Sequence, residues 1–225
     1  MASQRSLVGR HPELQPRLGG RREDTARGQR ARLLSAMAEV VADQGFERAT
    51  VTDIVAAAGV SRSTFYEQFS SKEDCFLEAY RHGVEVLLAE VRAAVAHAAG
   101  DGWRAQLRAG IRAYLRALAG EPRFARTYLV EIHAAGPAAL RARAAAMRRF
   151  AERYHASYEQ ARAEGVVHRE PPPDALLLLC AGTEQLFAER LATGGPLDDL
   201  EDIFCDCAES VLLGPGVAPT DDEEA

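Results

Sequence analysis

The sequence has 225 residues, 47% of them hydrophobic and 27% charged, which is long enough for one or two domains with a sizeable core. No apolar run approaches the ~20 residues that a membrane-spanning helix needs, so the composition excludes an integral membrane protein. Four scattered cysteines are too few for a disulfide framework, and no apolar leader is recognisable at the amino terminus. We therefore expect a cytoplasmic globular protein.

The formal net charge of −6 is unevenly distributed along the chain. Residues 1–35 carry eight arginines against three acidic residues, a net charge of +5, which leaves −11 for the rest. Residues 1–24 are also rich in glycine and proline and poor in apolar residues, which predicts a disordered basic arm. Whether this arm reaches a DNA groove or only stays solvated is open at this stage.

The rest of the chain shows apolar residues at helical spacing and little strand-like alternation. The first helix is predicted over residues 25–44, with Leu33, Met37 and Val41 in its buried stripe and Gly45 at its end. Two short helices follow between residues 50 and 69. Further helices are predicted over residues 72–98, 103–119, 122–135, 137–164, 174–192 and 198–213.

Proline and glycine mark the ends of several predicted helices. Gly120 ends one of them, Pro122 suits a first helical turn, and Gly136-Pro137 separates two helices. Asp174 and one of Asp198 and Asp199 are predicted N-caps. Residues 215–225 form a predicted disordered acidic tail. The pattern therefore predicts an all-α fold of about nine helices.

The most informative segment lies between residues 49 and 74. Thr50 and Asp53 are spaced as a capping box at a helix start, Gly59 supplies a turn position that other residues would strain, and Ser61 caps the next helix. Two short helices joined by a glycine turn form a helix-turn-helix, whose second helix enters the major groove of DNA. An ordinary helical hairpin with a polar face is the alternative.

The side chains of the second short helix divide into two faces. Phe65 and Phe69, four residues apart, are predicted to point inward, which turns the polar side chains outward. Arg62 can bind guanine with two hydrogen bonds, and Ser63 and Thr64 are small enough to approach base edges. Tyr66, Thr50 and Lys72 are suited to phosphates, because they can fix the register without reading sequence.

These residues resemble the amino-terminal domain of the TetR family of repressors. The resemblance covers residues 27–80 and rests on Thr50-Val51, Asp53-Ile54, Ala58-Gly59-Val60-Ser61, Thr64-Phe65-Tyr66, Phe69 and Ser71-Lys72-Glu73. Cys75 stands where the family often has leucine, a departure that concerns packing. The resemblance implies a homodimer with a three-helix DNA-binding head over residues 25–71 and a ligand-binding and dimerisation body over residues 72–214. The DNA-contacting set that follows is Thr50, Thr52, Ser61, Arg62, Ser63, Thr64, Tyr66, Gln68 and Lys72.

A ligand pocket is expected within the body. The candidate lining residues are aromatic or apolar: Trp103, Tyr114, Phe124, Tyr128, Met147, Phe150, Tyr154, Tyr158 and Phe187, with Glu131, His133 and His155 as polar contacts. Such a lining suits a hydrophobic or aromatic small molecule, although aromatic residues at helical spacing more often belong to a plain core.

Dimerisation is expected through the last two helices, at about 174–192 and 198–213, as a four-helix bundle across a two-fold axis. The apolar residues concerned are Leu176, Leu177, Leu179, Leu186, Phe187, Leu191, Leu200, Ile203, Phe204, Cys207 and Val211. The alternative is that they only cover the core of their own chain.

No metal site or cofactor is predicted. Glu152 and His155 match half of a di-iron pattern, but no second copy is present, and Cys205 and Cys207 point about 200° apart on a helix. The prediction is a repressor that a small molecule releases from its operator. The alternatives are a ligand-binding helical dimer that acts through a protein partner and a helical enzyme, for which no catalytic motif is present.

Overall fold

The structure, a computed structural model, describes residues 21–214 apart from 168 and 198, and only the backbone of residues 21–25. In this part of the chain it has nine α-helices and one 3-10 turn and no strand, which confirms the predicted all-α class. The helices are α1 Arg21–Gln44, α2 Val51–Ala58, α3 Arg62–Gln68, α4 Lys72–His97, α5 Trp103–Gly120, α6 Pro122–Leu129, α7 Pro137–Ala163, α8 Pro173–Thr193 and α9 Leu200–Leu213. The predicted tail and most of the predicted arm, residues 1–20, lie outside the described residues.

Helix α1 begins at Arg21 rather than at Thr25, so residues 21–24 are helical and the prediction that the arm extends through residue 24 was wrong. Arginine and glutamate are strong helix formers, and a low apolar content does not by itself interrupt a helix. Further along, Leu33, Met37 and Val41 are fully buried, as predicted. Through this face α1 packs against α2, α4 and α6.

Helix α4 is the central element, because it packs against α1 on one side and against α5, α6 and α7 on the others. Helices α8 and α9 pack against each other and against α7 and α5, respectively, at the far end of the molecule. The buried apolar side chains form one continuous cluster from Leu33 in α1 to Leu212 in α9. Helix α4 therefore connects α1 with the helices of the body.

Helices α4 and α6 approach each other closely at Gly83. A Cβ atom at this position would lie 2.3 Å from Cε2 of Phe124, a distance that real contacts do not reach. The ring of Phe124 stacks on Tyr128, and Tyr128 stacks on Tyr80 of α4 with 5.1 Å between ring centroids. The absence of a side chain at Gly83 thus permits the aromatic contact that joins the two helices.

The helix predicted from Pro122 to Gly136 is interrupted. Helix α6 ends at Leu129, and Glu131–His133 form a 3-10 turn, which corrects the single-helix prediction. The turn buries Ile132 and directs the Glu131 carboxylate to the backbone N–H of Phe46, which donates to it at 2.9 Å. In a continuous helix the Glu131 side chain would point in a different direction, and this hydrogen bond would not form.

The predicted cap of α8 was wrong. Helix α8 begins at Pro173, one residue before Asp174, because proline is accepted where the first N–H groups have no helical partner. For α9 the prediction was Asp198 or Asp199, and Asp198 lies outside the described residues. Asp199 occupies the N-cap position, but its side chain forms no cap and its carboxylate accepts two hydrogen bonds from Arg190, at 3.0 and 3.1 Å.

Within residues 21–214, as far as they are described, every helix is too short or too polar to cross a bilayer.

Candidate nucleic-acid interface and ligand cavity

The start of α2 is fixed by the predicted capping box. The Thr50 side chain accepts a hydrogen bond from the Asp53 N–H at 3.2 Å, and the Asp53 carboxylate accepts one from the Thr50 N–H at 3.0 Å. These bonds hold the pKa of Asp53 below its usual value, with the Thr50 side chain as the largest cause. The reciprocal bonds set the direction in which α2 leaves the turn.

The turn between α2 and α3 is set by Gly59 and Ser61. Gly59 has φ +63° and ψ 42°, the left-handed conformation that glycine adopts without steric cost, and its N–H closes the end of α2. Ser61 then accepts a hydrogen bond from the Thr64 N–H at 3.1 Å and caps α3. The sequence therefore encodes the angle between these two helices locally.

Helix α3 has one buried and one exposed face. Phe65 is 0% exposed and the adjoining Phe69 is 2% exposed, whereas Tyr66 is 51% exposed and Arg62 is also exposed. The two phenylalanine rings lie 5.6 Å apart and anchor α3 from behind. The polar face is consequently free to meet a large, flat or grooved partner.

The exposed face extends from α3 to α2. The Arg62 guanidinium donates to the Thr52 hydroxyl at 3.2 Å, which brings the first turns of both helices together. Of the predicted DNA-contacting residues, the structure exposes Thr50, Thr52, Ser61, Arg62, Ser63 and Tyr66, and it half-buries Thr64, Gln68 and Lys72. Gln68 is partly engaged, because its side-chain oxygen accepts a bond from Arg30 at 3.3 Å.

The side chain of Lys72, which was predicted to contact phosphate, instead forms contacts within the chain. Its ammonium donates to the carbonyls of Phe46 and Ala49, at 2.8 and 3.0 Å, and lies 4.2 Å from the centre of the Phe46 ring. These contacts attach the start of α4 to the turn that follows α1. The start of α4, rather than a free ammonium, is what this position offers to an anion.

Arg30, one of the eight arginines of residues 1–35, has a comparable role. Its guanidinium donates to the Gln68 carbonyl at 2.9 Å, pairs with the Glu78 carboxylate, and lies 4.4 Å from the centre of the Phe69 ring. It therefore joins α1, the end of α3 and α4. Only the charge of Arg30 was visible in the sequence, because its partners lie 38 and 48 residues away.

A cavity of about 330 Å³ lies in the body between α4, α5, α7 and α8. Four of the predicted ligand-binding residues, Trp103, Tyr114, Phe150 and Tyr154, line it. The other candidates do not belong to its lining: Phe124, Tyr128, Met147, Tyr158, Phe187, Glu131, His133 and His155. Phe124 and Tyr128 belong to the contact between α4 and α6, and Phe187 is fully buried.

The cavity also has polar lining residues that the sequence did not single out. Glu184 is 6% exposed, and its carboxylate accepts a hydrogen bond from Arg143 at 2.7 Å. Burial raises the pKa of this carboxyl, and the nearby Arg143 opposes that effect. Thr183 is buried beside it and donates to the Leu179 carbonyl at 2.8 Å. A buried acid near tyrosines in a largely apolar cavity gives a ligand few but specific polar partners.

The cysteines of the body differ in accessibility. Cys180 lines the cavity, and burial raises the pKa of its thiol to about 12, which disfavours the reactive thiolate. Burial likewise raises the pKa of Cys75 to about 12. Cys205 is fully buried whereas Cys207 is exposed, so the two thiols of α9 lie on different sides of the helix.

Two large apolar side chains of the last two helices are exposed. Leu178 of α8 is 73% exposed and Ile203 of α9 is 37% exposed, and Cys207 of α9 is exposed as well. Many residues of the predicted dimer set are instead buried within the chain: Leu176, Leu179, Phe187, Leu200 and Phe204. Leu178 was not among the predicted residues, because the sequence alone does not distinguish it from the leucines beside it.

Two family models match the chain. The first, bacterial regulatory proteins of the tetR family, matches residues 33–79 and thus the end of α1 through the start of α4. The second, the tetracyclin repressor-like C-terminal domain, matches residues 100–197. Between them the matches cover both the exposed face of α2 and α3 and most of the helices around the cavity.

Similarity also extends to individual proteins. The chain is 34% identical over 119 residues to the HTH-type transcriptional activator FasR of Mycolicibacterium smegmatis, a match covering 51% of this chain and 52% of FasR, about half of either length. An uncharacterized HTH-type transcriptional regulator, YvdT of Bacillus subtilis, is 42% identical over 45 residues, or 20% of this chain and 23% of YvdT. The fold is similar to the regulator FadR of Bacillus subtilis in complex with stearoyl-CoA, with TM-score 0.69 and 17% identity over 84% of this chain and 99% of that one.

Proposed function

The chain belongs to the TetR family of bacterial regulatory proteins, and from this premise we propose that it is a ligand-responsive transcriptional regulator that binds operator DNA as a homodimer. A protein with this role acts in the cytoplasm, where the DNA is. The boundary between the DNA-binding head and the ligand-binding body falls at about residue 71, with α4 as the shared helix.

The observation that carries the proposal is the division of α3 into a buried aromatic face and an exposed polar face. Because Phe65 and Phe69 anchor the helix, Arg62, Ser63 and Thr64 at its amino-terminal end are presented for the major groove. Arg62 is the base-reading residue of this proposal, and Tyr66 and Thr50 are phosphate contacts. The start of α4 at Lys72 offers its N–H groups to the backbone.

Dimerisation is supported by the outer face of α8 and α9. Leu178 and Ile203 leave apolar area uncovered, and a two-fold axis through this face gives a four-helix bundle. In the dimer the two heads are held so that both copies of α3 meet half-sites about one helical turn, ~34–36 Å, apart. Thus the separation of the heads controls the affinity for the operator.

The ligand response is supported by the cavity beside α4. A ligand between α4, α5, α7 and α8 displaces α4. This helix is attached to the head by the contacts of Lys72 with the turn at Phe46 and by those of Arg30, so the head moves with it. The FadR similarity makes an acyl-CoA one candidate chemistry for the ligand. Ligand binding then lowers operator affinity, and whether transcription rises or falls depends on where the operator lies relative to the promoter.

The test of the proposed function is an electrophoretic shift with the full chain and sheared genomic DNA, followed by sequencing of the retained fragments. We expect retention at low salt, enrichment of a sequence with two related half-sites, and a steep loss of affinity as salt rises because phosphate contacts release counterions. Tyr66→Ala weakens binding to all fragments. Absence of retention at low salt contradicts the proposal and favours a dimer that acts through a protein partner.

A further inference from the structure

The opening of the cavity between α4 and α7 is basic. Arg92 of α4 and Arg153 of α7 are both exposed members of the lining and lie on the two opposite helices. Among the described residues, neither guanidinium takes part in an ion pair. Arg92 helps to lower the pKa of Glu85, but the Glu85 carboxylate accepts its hydrogen bond from Arg149. Two arginines without a carboxylate partner at an opening favour an anionic group there.

The middle of the cavity is apolar. Val91, Leu107 and Ile111 are buried lining residues, and Trp103 and Phe150 contribute aromatic surface. The cavity volume of about 330 Å³ is within the range of small-molecule sites, and an alkyl chain suits such a lining.

The inner end of the cavity is polar again. Tyr114 of α5 is 9% exposed and lines the cavity, and its hydroxyl forms no hydrogen bond with a described residue. Burial raises the pKa of this hydroxyl, so it keeps its proton and can donate. The Glu184 carboxylate lines the same end and can accept. A ligand oxygen at this place can accept a hydrogen bond from the Tyr114 hydroxyl inside the cavity, which favours binding.

We propose that the cavity binds an amphipathic anion with an alkyl chain whose far end carries a hydroxyl or keto oxygen. The anionic group lies between Arg92 and Arg153, the carbon chain fills the apolar middle, and the far oxygen accepts a hydrogen bond from Tyr114. A hydroxyl at that end also donates to Glu184. This ligand class rests on the proposed function, in which the same cavity receives the effector, and the anion is either a free carboxylate or the phosphates of a coenzyme A thioester.

The test uses Trp103, which is the single tryptophan of the chain and lines the cavity, as a fluorescence reporter of binding. The full chain is titrated in the absence of DNA with decanoate, 10-hydroxydecanoate, 1-decanol and decanoyl-CoA. We expect 10-hydroxydecanoate to bind about three- to tenfold more tightly than decanoate, since one hydrogen bond within the cavity is gained. The neutral 1-decanol binds more weakly than decanoate. Decanoate and decanoyl-CoA together identify the source of the anion.

Matched variants assign the two ends. Tyr114→Phe keeps the ring and removes the hydroxyl, so the preference for 10-hydroxydecanoate over decanoate disappears, whereas Tyr158→Phe, a buried tyrosine outside the lining, retains it. The double variant Arg92→Gln, Arg153→Gln loses the preference for decanoate over 1-decanol, and Arg148→Gln, an exposed arginine of α7 outside the lining, does not. Circular dichroism verifies the fold of each variant.

Two results overturn the ligand class: an unchanged preference for the hydroxylated chain in Tyr114→Phe, or 1-decanol binding as tightly as decanoate in the unmodified protein. Because the titration contains no DNA, its outcome is separate from that of the operator experiment. Loss of DNA retention with intact titrations contradicts only the proposed function. Intact DNA retention without any of these ligands bound contradicts only the ligand class.

Discussion

At the scale of single residues, the positive charges of the amino-terminal third have two different roles. Arg62 lies exposed on α3, where it can reach a base, whereas Arg30 and Lys72 are taken up by carbonyls, a carboxylate and aromatic rings of the head. The sequence predicted that Arg62 is exposed, because Phe65 and Phe69 lie four residues apart and define the buried face of α3. It could not predict the internal roles, since the partners of Arg30 and Lys72 are distant along the chain.

Replacing Arg62 by alanine tests base reading. We expect Arg62→Ala to cost about 1–3 kcal/mol at one base position and to relax sequence preference there, because a bidentate contact to guanine is lost. Selection of binding sites from a randomised operator library measures this change. Arg141→Ala, an exposed arginine of α7, serves as the control for charge alone. An unchanged preference at every position in Arg62→Ala contradicts the assignment.

Lys72→Met tests the internal role of the lysine. The variant keeps the length of the side chain but removes the donor to the Phe46 and Ala49 carbonyls, so we expect the free energy of unfolding to fall by about 1–3 kcal/mol. Urea unfolding followed by circular dichroism measures the loss. Arg48→Met, whose guanidinium donates to the Gln44 carbonyl at the surface, is the control and should lose less. Equal losses in both variants contradict the role given to Lys72.

At the scale of the helices, local rules succeeded where a helix start is decided by its own neighbours and failed where a distant partner intervenes. The Thr50–Asp53 box and the Ser61 cap need only residues three positions apart, and both formed as predicted. Asp199 was one of two aspartates expected to cap α9, but its carboxylate accepts two charged hydrogen bonds from Arg190 instead. The break after α6 likewise depends on Glu131 reaching Phe46, 85 residues away.

Gly83→Ala tests the close contact between α4 and α6. The added Cβ overlaps the ring of Phe124, so the ring or the helix has to move, and we expect a loss of about 1–3 kcal/mol in unfolding free energy. Thermal unfolding of Gly83→Ala, Phe124→Leu and the double variant should show that the smaller side chain recovers part of the loss. Gly28→Ala in α1, with no atom within 4 Å, is the control and should be neutral or slightly stabilising.

Glu131→Ala tests the connection between the 3-10 turn and the head. Its removal leaves the buried N–H of Phe46 without an acceptor, which costs about 1–3 kcal/mol locally. Hydrogen exchange should therefore accelerate at residues 45–49 more than in α8 or α9. Glu121→Ala, at the start of α6, is the comparison. Exchange that accelerates equally throughout the molecule would indicate a global loss of stability instead.

At the scale of the whole molecule, the position of the cavity and the exposure of Leu178 and Ile203 follow from how the helices meet, which composition does not encode. Four of the predicted aromatic residues line the cavity, but Phe187 and Tyr128 are as aromatic and lie elsewhere. The sequence predicted the all-α class and the two short helices joined at Gly59 because both depend on local spacing. The polar inner end at Tyr114 and Glu184 joins residues 70 positions apart and became visible only in the fold.

Charge on the outer face of α8 and α9 tests the assembly. We expect Leu178→Glu and Ile203→Glu to shift the protein from dimer to monomer in analytical ultracentrifugation, since like charges would face each other across the two-fold axis. Operator affinity should fall in parallel because a monomer reaches one half-site. Ala93→Glu on the exposed side of α4 is the control and should remain dimeric. Dimers in all three variants contradict the proposed interface.

The engagement of Lys72 has a consequence for the chemistry that the chain can undergo. It is the single lysine of the sequence, so acetylation or any other modification of a side-chain amine can occur at this one residue of the sequence. That amine lies between two carbonyls and against an aromatic ring at the root of the DNA-binding head. Acylation of this amine would remove the positive charge on which those contacts depend and so weaken the attachment of α4 to the turn after α1.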